Sequence, residues 1–260
     1  MTPNSIQPKI LMYRATVAAT SLVPEIREAG AALYDLSIKQ FRFHMEYLKE
    51  NKYNVITLGD DSRHYDEKDI VITFDDGEMN NYEQAFSILK EYGFKAYFFV
   101  TAKYVGKPGY MDLKELKELL SHGMVIGSHG LSNEVMTTLL DTQIEEELRA
   151  SKDFLERNLG VEILDFSIPR SFVNDKIIRK AYEQGYERVF ISHRPRILLE
   201  PCLNRIIIRR QWTLKRFEQG VSGHVPLFER VRESILSAAK FVLRENGYNW
   251  VRNTIIKIVK

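Results

Sequence analysis

The sequence predicts an α/β protein. Short apolar runs recur along the 260-residue chain, amphipathic stretches separate them, and glycine follows the end of most of those stretches. The strands are expected at 9–13, 54–58, 70–74, 95–101, 124–128, 163–168, 188–192 and 205–208. Most are Val/Ile/Phe/Tyr-rich, as strands buried on both faces should be. Eight such runs with helices between them suit an α/β barrel or a doubly wound sheet, and periodicity alone leaves that choice open.

The helices follow in order. Ser37 is placed to cap one that carries Phe41, Met45 and Leu48 on a single face. Residues 80–92 stop at Gly93, 112–122 at Gly123, 141–159 at Gly160 and 174–184 at Gly185. Glycine just beyond a helix is the expected left-handed cap. From Pro226 the pattern changes. Leu227, Val231, Leu236, Ala239 and Leu243 form one helical stripe, and an apolar segment from Tyr248 to Val259 follows. The expected division is a barrel-like unit over 1–225 and a basic amphipathic helical tail over 226–260. Packing on the main unit is the first expectation for that tail, with membrane-surface contact or a dimer contact as the others.

Net charge is +2, but it is unevenly spread. Residues 194–260 hold 14 Lys/Arg against 5 Asp/Glu, while the rest hold 23 against 30. The basic end suits phosphate, a nucleotide-linked sugar or an anionic surface, although solvated helix faces explain it more simply. Cys202 is the sole cysteine, so no intrachain disulfide is expected, and its setting does not point to a nucleophile. The N-terminal residues lack a secretory pattern, and no apolar stretch reaches the roughly 20 residues that span a bilayer. A cytoplasmic location is therefore the expectation. No phosphate-binding glycine loop, zinc-finger spacing or nucleic-acid motif is present.

The chemistry concentrates at two strand ends. Val71-Ile72-Thr73-Phe74 runs into Asp75-Asp76-Gly77. Strand C-terminal ends form the active face of such folds, and two adjacent carboxylates there suit one cation ligand and one general base. A capping pair for the next helix is the competing reading. Val125-Ile126-Gly127-Ser128 likewise runs into His129. An Asp and a His, each ending its own strand, could converge on zinc or a similar divalent metal.

These segments resemble the polysaccharide deacetylases, the carbohydrate esterases with a chitooligosaccharide-deacetylase homology domain. Thr73-Phe74-Asp75-Asp76-Gly77 matches their first motif. Gly127-Ser128-His129 with Thr138-Leu139 is similar to the second, Phe166-Ser167-Ile168-Pro169-Arg170 to the third, and Lys180–Tyr186 followed by Val189 to the fourth. The resemblance runs in order over residues 9–210. It implies a distorted (β/α) barrel of about seven strands, with the tail as a C-terminal helical extension. It implies Asp75 as the base that deprotonates water, with Asp76 and His129 holding a divalent metal that polarises an acetamide carbonyl. Pro169 and Arg170 would line the substrate groove. A carbohydrate, such as an amino sugar or polysaccharide, would be the partner, as part of surface-polysaccharide synthesis or modification.

The sequence also departs from that pattern. Asn133 stands where the second metal histidine belongs, Ser167 where an arginine orients the base, and Arg14 where a histidine follows Tyr13. The fifth motif, which supplies the general acid, has no clear match, and His193 is the candidate for that role or for a replacement ligand. Three readings follow: a deacetylase with an altered metal site, a metal-independent C–N hydrolase on the same fold, and a catalytically impaired carbohydrate-binding homologue. Trp212 is the remaining groove candidate, by stacking on a sugar ring, with Arg209 and Arg210 beside it for a diphosphate. A packing role for Trp212 is equally open. Tyr97-Phe98-Phe99 reads as core strand, and Glu145-Glu146-Glu147 as a solvated helix face.

Overall fold

The computed structural model describes residues 7–25, 27, 30–59, 64–192 and 198–224, with Val231 and Ile235. His193 and nearly all of the 226–260 tail lie outside the described residues; Val231 and Ile235 are helical and exposed.

All eight expected strands form. They are β1 (Lys9–Tyr13), β4 (Asn54–Val55), β5 (Asp69–Phe74), β6 (Tyr97–Val100), β7 (Val125–Ser128), β8 (Asp165–Ser167), β9 (Arg188–Ile191) and β10 (Leu203–Ile207). Seven of them close a parallel ring in the order β1, β10, β9, β8, β7, β6, β5 and back to β1. The ring settles the choice between barrel and open sheet. β1 is its seam, with Ile10 beside Val71 on one edge and Arg205 on the other. Among the described residues β4 pairs only with β5, and it is shorter than expected. At Leu58 the Tyr97 hydroxyl, 2.7 Å away, accepts the backbone N–H in place of a strand neighbour.

The strands are buried on both faces, which explains their continuous apolar runs. Val71, Tyr97, Phe99 and Phe190 point into the ring with Ile10 and Ile56. Ile70, Ile72, Phe74, Phe98 and Ile191 point outward into the larger core beneath the helices. Those helices are α1 (Ile38–Glu50), α2 (Ser87–Tyr92), α3 (Leu113–Ser121), α4 (Asp141–Leu159), α5 (Asp175–Glu183) and α6 (Leu214–Val221). Each lays an apolar stripe on the barrel, as Phe41, Met45 and Leu48 do from α1.

Ser37 caps α1 in a reciprocal box: its hydroxyl accepts the Gln40 N–H and the Gln40 side chain accepts the Ser37 N–H. Such a cap contributes about 1 kcal/mol. α4 ends at Gly160 with φ 72°, the left-handed turn that favours glycine. The helix expected at 80–92 opens instead with a π-helical segment, Asn81–Phe86. A small parallel pair, β2 (Ala15–Val17) and β3 (Asp35–Ser37), was not anticipated, because three-residue strands carry too little periodicity to be read.

Candidate active site

The chain turns sharply where β5 ends. Asp76 has φ 72° and Gly77 φ 81°. The glycine also faces Val100, whose Cγ1 lies 3.3 Å from where a Cβ would stand. Among the described residues, the non-glycine residues at positive φ, apart from Lys52, are Asp76, Asn133, Arg170 and Ser171. All four follow the C-terminal ends of barrel strands. Sparsely populated backbone of this kind collects where a functional arrangement is over-determined by its surroundings.

Asp75 and Asp76 leave this turn in two different pairings. Asp75 meets Arg205 in a two-pronged ion pair, with Nη1 to Oδ1 at 2.7 Å and Nη2 to Oδ2 at 2.8 Å. Both side chains are almost fully buried. The same guanidinium donates to Thr73 Oγ1, Ser167 Oγ and Ser192 Oγ, and its plane lies over the Phe99 ring. Burial alone would push the Asp75 carboxyl up. Arg205 chiefly, with His129 and Arg14, outweighs that and holds it below the usual carboxylate range.

Asp76 meets different partners. Asn133 Nδ2 donates to Oδ1 at 2.8 Å, and His129 Nε2 stands 3.6 Å from the same oxygen. Arg14 Nη2 lies 2.5 Å from Oδ2, a charge contact rather than an aligned hydrogen bond. Arg14 in turn reaches Glu78 through Nε at 3.3 Å, and Glu78 also takes Arg27 Nε at 2.8 Å. Arg27 closes on Asp35 with both terminal nitrogens. Glu78 is fully buried, and burial raises its carboxyl above the usual range despite the two guanidiniums. The result is a buried chain of alternating charge from Asp76 to Asp35.

His129 ends β7, and the loop beyond it is tied down from α4. Glu147 accepts the Leu131 N–H at 2.9 Å, the Ser132 N–H at 3.0 Å and the Ser132 hydroxyl. This corrects the reading of Glu145-Glu146-Glu147 as a solvated face: Glu146 is exposed, but Glu147 is buried and faces the site. Pro169 packs beside Gly130, and Arg170 follows at φ 54°. Trp212 is buried in the core under the Arg216 guanidinium, 4.2 Å away, and against Gly220. That is the packing alternative rather than an open sugar platform. Arg209 is also buried, whereas Arg210 is exposed. Tyr97, Phe98 and Phe99 are core, as expected.

The structure thus brings Asp75, Asp76, His129 and Asn133 to one mouth, with Pro169 alongside. Arg205 was overlooked in the sequence. Its signal was a lone arginine inside the apolar run Leu203–Ile207, in register with Ile10. It supplies from β10 the guanidinium that the Ser167 position lacks.

A parallel barrel of seven strands whose mouth centres on a strand-end Asp-Asp-Gly defines a deacetylase-type (β/α) barrel. Residues 62–189 match the family model described as polysaccharide deacetylase, and the chain belongs to that family. It is 30% identical over 185 residues to the Bacillus subtilis protein YxkH, whose name assigns it to the polysaccharide deacetylases; the match covers 68% of this chain and 62% of YxkH. It is 31% identical over 144 residues to a peptidoglycan-N-acetylglucosamine deacetylase of Bacillus cereus, covering 54% of this chain and 65% of that one. The chain therefore spans less than two thirds of these relatives' length. The Streptococcus pyogenes deacetylase PplD shares the fold, with a TM-score of 0.72 at 22% identity over 84% of this chain and 99% of that one.

The family generally uses a divalent metal. Among the described residues, no three His, Cys, Asp or Glu side chains cluster as a metal site. The donor set that converges here is one carboxylate, one imidazole and one amide, and it does not fit such an ion. The Asp76 oxygens already face a guanidinium and an amide NH2. With Asn133 Nδ2 turned to Asp76, its Oδ1 is left buried without a hydrogen-bond partner, and an amide oxygen is a weaker ligand than the imidazole that the resemblance places there.

Proposed function

We propose that the chain is a hydrolase that removes acetyl groups from an amino-sugar carbohydrate, with Asp75 as the base. The observation that carries this is the buried Asp75 carboxylate at the end of β5, held ionised by Arg205. A carboxylate has about four lone-pair directions. The two-pronged contact uses two and the Ser167 hydroxyl, 3.4 Å from Oδ1, a third, which leaves one for water. Asp75 takes a proton from that water, the oxygen attacks the acetamide carbon, and the tetrahedral species collapses with the sugar amine leaving. The amine needs a proton as the C–N bond breaks. His193, one residue beyond Ser192 in sequence, is the proposed donor, and Pro169 with Arg170 is the proposed groove wall. The names of the relatives, deacetylases of peptidoglycan and other polysaccharides, support a carbohydrate substrate.

Metal assistance through Asp76, His129 and Asn133, which the resemblance implied, does not fit the donor set, so the proposed reaction proceeds without it. The same contacts favour a second reading, metal-independent hydrolysis of a smaller amide. Acetate release from N-acetylglucosamine oligomers and peptidoglycan fragments, run beside a panel of small amides, separates the two. Asp75→Asn should lower turnover by about 100-fold or more, the usual worth of a positioned base. Full activity in Asp75→Asn would remove Asp75 from the mechanism. No acetate from any carbohydrate would remove the substrate class.

A further inference from the structure

We infer that Arg14 is a built-in cation that stands in for an exchangeable metal beside Asp76, so that the centre keeps its positive charge without binding a divalent ion. The inference rests on the proposed hydrolase reading, since it concerns the same mouth.

Three independent features carry it. First, the carboxylate is occupied on both oxygens. Arg14 Nη2 lies 2.5 Å from Oδ2, and Asn133 Nδ2 lies 2.8 Å from Oδ1. The Asn133 amide is oriented by that contact, because turning it over would set its oxygen against a carboxylate oxygen. Second, the guanidinium is held in place from behind. Glu78, fully buried, takes Arg14 Nε on the same oxygen that takes Arg27, while its other oxygen accepts from Asn80. An arginine that had merely drifted onto Asp76 would not come with its own buried counter-ion. Third, the backbone is shaped for this pairing. Asp76 and Asn133 both sit at positive φ, 72° and 64°, and Asn80 also accepts the Thr16 N–H two residues beyond Arg14.

The sequence changes match one another chemically. Arg14 and Asn133 both stand where the resembled pattern carries histidines. Removing one metal ligand weakens a site, whereas installing a permanent cation on the remaining carboxylate closes it. A guanidinium keeps its charge across the working pH range and cannot be removed by chelation. It contributes fixed charge and hydrogen bonding, as other preorganised groups do at charge-developing centres. A dication would have to displace it from Asp76 while Glu78 holds it.

The test uses zinc alone, with the full chain, and reads binding rather than turnover, so this inference and the proposed reaction can fail separately. Zinc is titrated by calorimetry and by competition with a fluorescent chelator into wild type, Asp76→Asn, Asn133→His, and the double variant Arg14→Gln/Asn133→His. Wild type and Asp76→Asn should show the same weak background. Asn133→His should gain little, because Arg14 remains. The double variant should gain about one equivalent of zinc, about 100-fold tighter than background. One equivalent bound by wild type and lost in Asp76→Asn overturns the inference. So does a folded double variant that gains no zinc. Should the double variant fail to fold, the comparison of wild type with Asp76→Asn decides alone.

Discussion

Replacing Arg205 with methionine keeps most of the side-chain volume and removes the charge that faces Asp75. Asp75 then stays almost fully buried without its two-pronged partner. Breaking a buried pair in this way costs about 3–5 kcal/mol, and the loss of two hydrogen bonds to a charged group gives a similar sum, at about 1.5–3 kcal/mol each. His129 and Arg14 still favour the carboxylate, so the lower end is expected near neutral pH. For a chain of this size the melting temperature should fall by on the order of 10 °C. The pH dependence follows from the sign of the shift. In wild type the Asp75 carboxyl is held low, so its contribution is present above the unfolded value of about 4 and is lost as pH falls through the lower folded value. In Arg205→Met, burial is less opposed and the folded value rises above the unfolded one, so the deficit grows as pH rises. Urea unfolding followed by circular dichroism at several pH values measures both curves. Adding Asp75→Asn to Arg205→Met should recover at least half of the loss. A deficit below about 1 kcal/mol, or one that stays flat between about pH 4 and 8, would refute the claim that Arg205 compensates a buried charge.

Two further outcomes are expected. His44 is buried, hydrogen-bonded to the Tyr13 hydroxyl and stacked on Phe217, and burial lowers its pKa to about 3. Because the unfolded chain binds that proton near pH 6.5, stability should fall by about 1.4 kcal/mol per pH unit from this group as pH drops from there toward 3, and His44→Leu should flatten the slope in acid urea melts. Glu147→Ala strands the Leu131 and Ser132 N–H groups, so a loss of about 2–3 kcal/mol is expected, and hydrogen exchange should speed up across residues 131–133 while α5 stays protected.

The barrel was legible because its strands are buried on both faces, which leaves long uninterrupted apolar runs such as Ile70–Phe74 within β5. The caps were legible because Ser37 and Gly160 answer local geometry that neighbouring residues alone determine. Asp75, Asp76 and His129 could be singled out because each is a charged or titratable side chain placed directly after such a run. Their partners could not. The contact between Asp75 and Arg205 joins residues 130 positions apart, and only the ring closure through β1 brings them together. Glu147 was misread because a helix pattern with a broad charged face does not reveal which of three consecutive glutamates turns inward. The π-helical opening of the 80–92 segment leaves no period that a window of this length can distinguish from an ordinary turn.

The seam at β1 bears on how the molecule is made. Its two edges are filled at very different moments, one by β5 and the other by β10. A ribosome adding about 5–20 residues per second needs roughly 10 s to travel from Asp75 to its arginine. Through that interval the growing chain carries an open edge and an acidic group without its main counter-charge, so early fragments have reason to stay unlatched. β10, the last of the described strands to emerge, both closes the cylinder and brings Asp75 its guanidinium.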